Sequence, residues 1–239
     1  MSRLNPYFSV DCVVFGFEES RLKALLIERS RSDSGSDVGT MALPGNLFFE
    51  DEDLDDAALR VLFELTTLTD IYLQQFQTFG DPNRISKEED IIWLRSIREI
   101  PDARVITVAY YSLVNIANYE ANPGGFAKST RWVDIEDIPS LAFDHNKILD
   151  SALSQLREDV RRLPLVFELL PPLFTLAELQ SIYEVLLRQD IDKRNFRRKI
   201  QTLDYIEETS SKQSGVAHKP ARLYRFNKEL FDRSNTSLP

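Results

Sequence analysis

The sequence predicts an α/β (α+β) protein in two domains: a mixed sheet with helices over residues 1–162, then a winged helix-turn-helix over residues 163–239. Three observations carry this. β-rich runs dominate the first part, broken by one amphipathic helix that follows a Pro-Gly loop. The second part opens with a capped helix, a short turn and a basic helix, followed by two strand-like runs around a polar loop. The charge divides at the same place. Residues 161–239 hold 14 Lys/Arg against 10 Asp/Glu, net +4, whereas residues 1–160 hold 15 against 28, net −13. An acidic part joined to a basic part assigns contact with a polyanion to the second part alone.

Phe8 to Phe17 reads as the first strand and Leu22 to Glu28 as the second, joined at Glu18-Glu19-Ser20 into a hairpin. Cys12, the only cysteine, lies in the apolar run and reads as a small buried hydrophobe. One cysteine makes no disulfide framework, so a reducing, cytoplasmic setting is expected. The polar start, with Asp11 inside the following apolar run, is unlike a signal peptide. No apolar run approaches the ~18 residues that cross a membrane. Ser30 to Thr40 is polar loop; Arg29 and Arg31 beside it read as phosphate contacts or as solvated charge.

The central stretch is read as a loop, Leu43-Pro44-Gly45-Asn46, and an acidic segment feeding a helix on which Leu54, Ala58, Leu62 and Leu65 share one face. Asp55 and Asp56 suit the positive helix start. Thr69 to Phe79 is the next strand, and Gly80 to Arg84 a turn. Residues 85–102 read as a short helix inserted between strands. Ile91, Ile92, Leu94 and Ile97 form its apolar face, and Glu88, Glu89 and Asp90 a solvated N-terminus rather than metal ligands. Arg104 to Ile116 is the clearest strand; Asn122 to Gly125 is loop, Arg131 to Val133 a short strand, and a helix follows from about Asn146. His145 has no evident partner in sequence and reads as a packing residue at that helix start rather than a base.

In the second part, Thr175 and Glu178 form a capping box. Leu176, Leu179, Ile182, Tyr183 and Leu186 make one helix face. After a turn at Arg188 to Ile191, residues 192–203 form a helix with Phe196, Ile200 and Leu203 inward and Arg194, Asn195, Arg197 and Arg198 outward. Residues 205–208 and 221–226 read as strands, and the polar segment between them, with Lys212, His218 and Lys219, as a wing. A helical protein-interaction module would leave the outward arginines unexplained.

The stretch from Gly45 to Leu68 resembles the Nudix box: Gly, five residues, Glu, seven residues, then Arg-Glu-aliphatic-x-Glu-Glu-x-Gly-aliphatic. Anchored on Arg60, it matches at Glu52, Arg60, Leu62, Glu64 and Leu68. Asn46 takes the opening Gly position one after Gly45, Val61 and Leu65 replace two glutamates, and Thr67 the later Gly. Nudix hydrolases hold divalent metals with those carboxylates, and Val and Leu offer no oxygen ligand. A degenerate box followed by a winged helix resembles the Nudix-related transcriptional regulators of bacteria. The most specific stretches are Phe174 to Gln180, Asp192 to Arg198 and Lys219 to Phe226.

That resemblance implies a Nudix-like α/β/α sandwich that senses a metabolite, either an ADP-ribose-like nucleotide or a sugar such as arabinose. It also implies a homodimeric repressor on double-stranded operator DNA, with NAD or sugar metabolism under its control. No catalytic residue, metal or cofactor is implied. The expected ligand residues are Arg29, Gly45, Glu52, Arg60, Glu64 and Arg84. The expected DNA residues are Lys193, Arg194, Asn195, Arg197, Arg198, Lys199, Lys212, His218, Lys219 and Arg222. The competing reading is a Nudix hydrolase acting on a nucleoside diphosphate derivative such as ADP-ribose.

Overall fold

The structure, a computed structural model, describes residues 3–29, 40–215 and 219–234. The chain forms two compact units: the first comprises residues 1–18 and 22–155, and the bulk of the second is residues 156–239.

The first unit is a mixed seven-stranded sheet with helices. Its strands are β1 (Leu4–Glu18), β2 (Arg21–Arg29), β3 (Met41–Ala42), β4 (Gly45–Phe49), β5 (Gln74–Phe79), β6 (Ile106–Asn115) and β7 (Ala127–Asp134). The helices are α1 (Leu54–Thr66), α2 (Glu88–Ile97) and α3 (His145–Asp159). The main path runs β3-β2-β1-β6-β5, with β4 on β1 and β7 on β2. β1 lies parallel to β6, Phe8 opposite Ile106 through Phe17 opposite Asn115, and antiparallel to β4, where Asp11 faces Gly45.

The near-continuous apolar run of β1 follows from its burial on both faces. Val10, Cys12 and Val14 join Ala57, Ala58, Val61, Leu62 and Leu65 of α1 in one core. By strand alternation Val13 and Phe15 point to the opposite face, and they are fully buried too. α1 is therefore apolar over a wider stripe than the four expected positions: Ala57 and Val61 also face inward.

Four local expectations are corrected. Gly45–Phe49 is a strand, because β1 offers it a partner that the local Pro-Gly signal does not reveal. The strand expected from Thr69 starts only at Gln74; Asp70 takes φ +57°, which turns the chain. β7 begins at Ala127 because it pairs along β2 as far as Arg29. The basic helix ends at Ile200, leaving Leu203 beyond it though still buried.

The second unit contains α4 (Leu176–Leu187), α5 (Lys193–Ile200), the ribbon β8 (Ile206–Lys212) with β9 (Arg222–Phe226), and α6 (Lys228–Arg233), which the sequence reading did not anticipate. Thr175 and Glu178 form the expected reciprocal cap of α4. The interior is aromatic: Phe167 stacks on Phe226 at 4.0 Å, and Phe231 of α6 meets Tyr205 at 5.1 Å.

Thr67 ends α1 in the left-handed region, φ 57°, with its N–H donating to Phe63 O at 2.8 Å. A β-branched residue there is strained, whereas Gly adopts it freely. Thr67 is exposed, so little packing opposes a change. Thr67→Gly is expected to raise stability by roughly 0.5–1 kcal/mol, read as a higher urea midpoint at unchanged slope.

Candidate functional site

Two sites emerge, one in each unit. The first is a cleft lined by Asp11 of β1, Arg29 of β2, Gly45 of β4, Arg84 of the turn after β5, Trp93 and Arg98 from the α2 segment, and Phe126, Phe143 and His145.

Charge is paired there across long sequence separations. Arg84 donates to Asp144 through Nε at 3.1 Å and Nη2 at 2.9 Å, and to Asp11 through Nη2 at 3.2 Å. Burial works against the Arg84 charge, but Asp11 and Asp144 outweigh it and hold the guanidinium pKa above its ordinary value. Gly45 makes room for this pairing. A Cβ there would fall 1.9 Å from Asp11 Oδ1.

His145 has partners, contrary to expectation. Its Nδ1 accepts from Leu43 N at 2.9 Å, and its Nε2 lies 3.5 Å from Asp11 Oδ1. An accepting Nδ1 makes the ring neutral, with the proton on Nε2. Burial pulls the His145 pKa below its ordinary value against the opposing charge of Asp11.

Arg29 is buried rather than solvated. Its Nη2 donates to Asp90 Oδ1 at 2.7 Å, and the other oxygen of Asp90 accepts from Phe143 N at 2.7 Å. The guanidinium lies over the rings of Trp93, at 4.5 Å, and Phe143, at 5.0 Å. Glu88 and Glu89 are exposed, but Asp90 is fully buried, so the expectation of a wholly solvated helix start fails for that residue. A helix turn places the third residue of an acidic triplet inward while the first two face water.

The six expected ligand residues fall into two groups. Arg29, Gly45 and Arg84 line the cleft. Glu52, Arg60 and Glu64 form a separate cluster. Arg60 grips Glu52 through Nε at 2.6 Å and Nη2 at 2.8 Å, donates to Glu64 at 3.0 Å, and lies over the Phe49 ring at 4.5 Å. Its hydrogen bond holds Glu52 below the usual carboxylate range. At the two substituted box positions, Val61 and Leu65 are buried in the core. Val and Leu offer a divalent metal no oxygen ligand at those two positions. Among the described residues, no group of three or more His, Cys, Asp or Glu is placed to hold one.

Sequence reasoning missed Asp11, Asp90, Trp93, Arg98, Phe126 and Asp144 as site residues. A charge inside an apolar run was the available signal for Asp11. The helix at 88–97 gave none for Trp93 or Arg98, because a helical pattern does not show what the helix packs against.

In the second unit, Asp192 caps α5 by accepting from Asn195 N at 2.8 Å. Gln180 donates to Ile191 O at 2.8 Å, and Glu184 accepts from Ile191 N at 3.1 Å, which fixes the turn between α4 and α5. Phe196 and Ile200 are buried, so Lys193, Arg194, Asn195, Arg197, Arg198 and Lys199 all fall on the exposed face. Arg198 donates to Asn195 Oδ1 at 3.1 Å. Lys212, Lys219 and Arg222 are exposed, and Arg222 pairs with Glu208. His218 lies outside the described residues.

The chain is 34% identical over 233 residues to a protein of Acinetobacter baylyi named ADPR responsive transcriptional repressor NtrR, covering 95% of this chain and 85% of that one. The chain belongs to the Nudix-related transcriptional regulators. Residues 166–226 match the family described as the NrtR DNA-binding winged helix domain. The structure is similar to that of Shewanella oneidensis NrtR complexed with a 27mer DNA (TM-score 0.69, 27% identity, 97% of each chain). It is also similar to the Nudix domain of that protein complexed with ADP ribose (TM-score 0.51, 26% identity, 64% of this chain and 89% of that one). A more distant likeness, 27% identity over 146 residues, is to an ADP-ribose pyrophosphatase of Methanocaldococcus jannaschii, covering 61% of this chain and 72% of that one. A Nudix domain followed by a C-terminal winged helix is thus the architecture of this regulator. No helix among its described residues is long and apolar enough to cross a membrane.

Two outcomes follow for the regulator's cleft. Asp90→Ala strands the buried Arg29 charge and is expected to cost about 3–5 kcal/mol, measured by urea unfolding. The second outcome concerns pH. With the folded-state pKa of His145 held below 6.5, the unfolded chain takes up that proton first. This contribution is complete above about pH 6.5 and is lost as pH falls below it. Glu28, Glu52 and Glu207 are also lowered, but from 4.5, so they act in a more acidic range. The urea midpoint is therefore expected to be lower at pH 5.5 than at pH 7.5, and His145→Gln to shrink that difference.

Proposed function

We propose that this regulator is a cytoplasmic, homodimeric repressor that holds a near-palindromic operator through residues 163–239 and releases it when its Nudix-like domain, residues 1–162, binds ADP-ribose. One observation carries the DNA half. α5 presents six polar or basic side chains on one exposed face while Phe196 and Ile200 anchor the other. In this reading α5 enters the major groove. Arg194, Asn195, Arg197 and Arg198 stand near bases, where Arg grips guanine and Asn adenine through paired bonds. Lys193, Lys199, Lys212, His218, Lys219 and Arg222 reach phosphates, which position without specifying. Arg222 would exchange its Glu208 partner for a phosphate.

ADP-ribose is preferred to a sugar because the Acinetobacter baylyi relative is named for ADPR and the Shewanella oneidensis Nudix domain was crystallised with ADP ribose. Arg29, Gly45 and Arg84 belong to that cleft in this reading. Glu52, Arg60 and Glu64 instead brace the corner between β4 and α1, since Arg60 also donates to Leu47 O at 3.3 Å.

The second reading, hydrolysis of ADP-ribose, draws on the pyrophosphatase likeness. Against it stand the buried Val61 and Leu65 where metal-binding glutamates would be needed, and the occupation of Glu52 and Glu64 by Arg60.

The test is operator binding by fluorescence anisotropy with and without ADP-ribose. Combined Arg194→Ala and Arg197→Ala is expected to weaken operator binding by about 1–3 kcal/mol per arginine and to relax sequence preference. Lys219→Ala should weaken all sequences alike and lower the salt slope by about one unit. ADP-ribose should weaken operator binding, and operator should weaken ADP-ribose binding by the same factor. Release by arabinose instead would reassign the effector. Magnesium-dependent turnover of ADP-ribose that vanishes in Glu64→Gln would favour the hydrolase.

A further inference from the structure

The cleft holds two buried arginines, Arg29 and Arg84, and a half-buried third, Arg98, and the fold satisfies them unequally. Arg84 is matched by two carboxylates. Among the described residues Arg29 is matched at Nη2 only; its Nε and Nη1 are buried and meet no hydrogen-bond partner there, in a side chain only 4% exposed. Arg98 is the extreme case. Its Nε and Nη1 are also buried without a partner. Among the described residues, neither an ion pair nor a side-chain hydrogen bond engages it. The nearby carboxylate of Asp11 is already held by Arg84 and faces His145.

Buried donors without acceptors are uncommon, and each calls for a physical account. A guanidinium cannot escape by losing its proton. Burial pushes the Arg98 pKa down only to about 10, which leaves it charged at neutral pH. Four N–H-bearing nitrogens, on two side chains that line one cleft, thus have no acceptor among the described residues. A ligand that satisfies them needs negative charge and several oxygen acceptors, which describes a phosphate or diphosphate group. Arg98 also lines the adjoining cavity of about 570 Å³, together with Asn46, Leu47, Phe49, Ile97 and Phe126, so it stands where the two spaces meet.

We propose that Arg98, supported by Arg29, is an anion subsite of the cleft that takes a phosphoryl group of the bound nucleotide. This inference rests on reading the cleft as a nucleotide site, and it adds the α2 segment as the element that grips the ligand's charge. The flanking aromatics already lock Arg29 in place, so that group arrives preorganised.

The test compares the full-length protein with Arg98→Met, which keeps the aliphatic stem, and Arg98→Lys, which keeps the charge. The probes are ADP-ribose, inorganic pyrophosphate and adenosine, read by calorimetry and by shift in melting temperature. ADP-ribose binding is expected to weaken about 10- to 100-fold in Arg98→Met, with partial recovery in Arg98→Lys. Adenosine, which lacks phosphate, should bind the parent and Arg98→Met alike. The ligand-free Arg98→Met protein should melt no lower than the parent, because a half-buried charge without a side-chain partner has been removed. A purely structural Arg98 would lower the melting temperature instead. A folded Arg98→Met protein that binds ADP-ribose as tightly as the parent overturns the subsite while leaving the effector reading intact. If the parent does not bind ADP-ribose, pyrophosphate decides. Pyrophosphate that stabilises the parent but not Arg98→Met keeps the subsite and rejects the effector; pyrophosphate that stabilises neither rejects the subsite.

Discussion

The first unit depends on a buried carboxylate in its central strand. Asp11 sits in β1 among residues with almost no exposure, opposite Gly45, and serves both Arg84 and His145. A lone carboxylate there would be very costly to bury, and it is tolerated because its charge is matched. That requirement propagates outward. The turn after β5 must deliver Arg84, the start of α3 must deliver His145, and β4 must offer a residue without a side chain. The backbone N–H of Leu43, donating to His145, ties the segment between β3 and β4 into the same network. Three separated segments, around Leu43 to Gly45, at Arg84 and at His145, are thus gathered on β1 by one charge.

The altered Nudix box shows how a scaffold persists when its residues change. Of the hydrolase core, α1 keeps the spacing that buries Leu62 and Leu68 and the arginine that braces Glu52. At the two substituted positions it turns apolar side chains inward, so the core gains the surface that carboxylates would have withheld. Thr67 carries the cost of the change, since the left-handed end of the helix remains where Gly would relieve it. The loop after β6 packs against that end: Asn122 N donates to Thr66 O, and a Cβ on Gly124 would fall 2.4 Å from Glu64 O. Helix termination here is therefore a tertiary matter as much as a local one.

The winged unit is built differently. Its aromatic interior and the reciprocal cap of α4 are close-range features, and the short α5 is held by one N-cap and two anchors. With so few constraints on the inner face, the outer face is free to carry charge. Glu207 and Glu208 of β8 pair with Arg225 and Arg222 of β9, so the ribbon offsets part of its own basic charge.

What the sequence determined by itself is whatever rests on near-neighbour periodicity. The strands of the opening hairpin, the apolar face of α1, the capping box at Thr175 and the outward arginines of α5 were all legible, because 2-residue and 3.6-residue repeats report which side of an element is wet. The charge asymmetry between the two parts was equally plain. Only the tertiary structure decided which charges are buried and with whom. Arg29 meets Asp90 across 61 residues, and Arg84 meets Asp144 across 60 and Asp11 across 73. In sequence, Asp90 is one of three acidic residues at a helix start, Arg84 one basic residue in a turn, and Arg98 one more charge after a helix. Local pattern records exposure on average, but the energy of a buried charge is set by its partners. Those are fixed only when the sheet brings β1, β2 and the α2 segment to the same cleft.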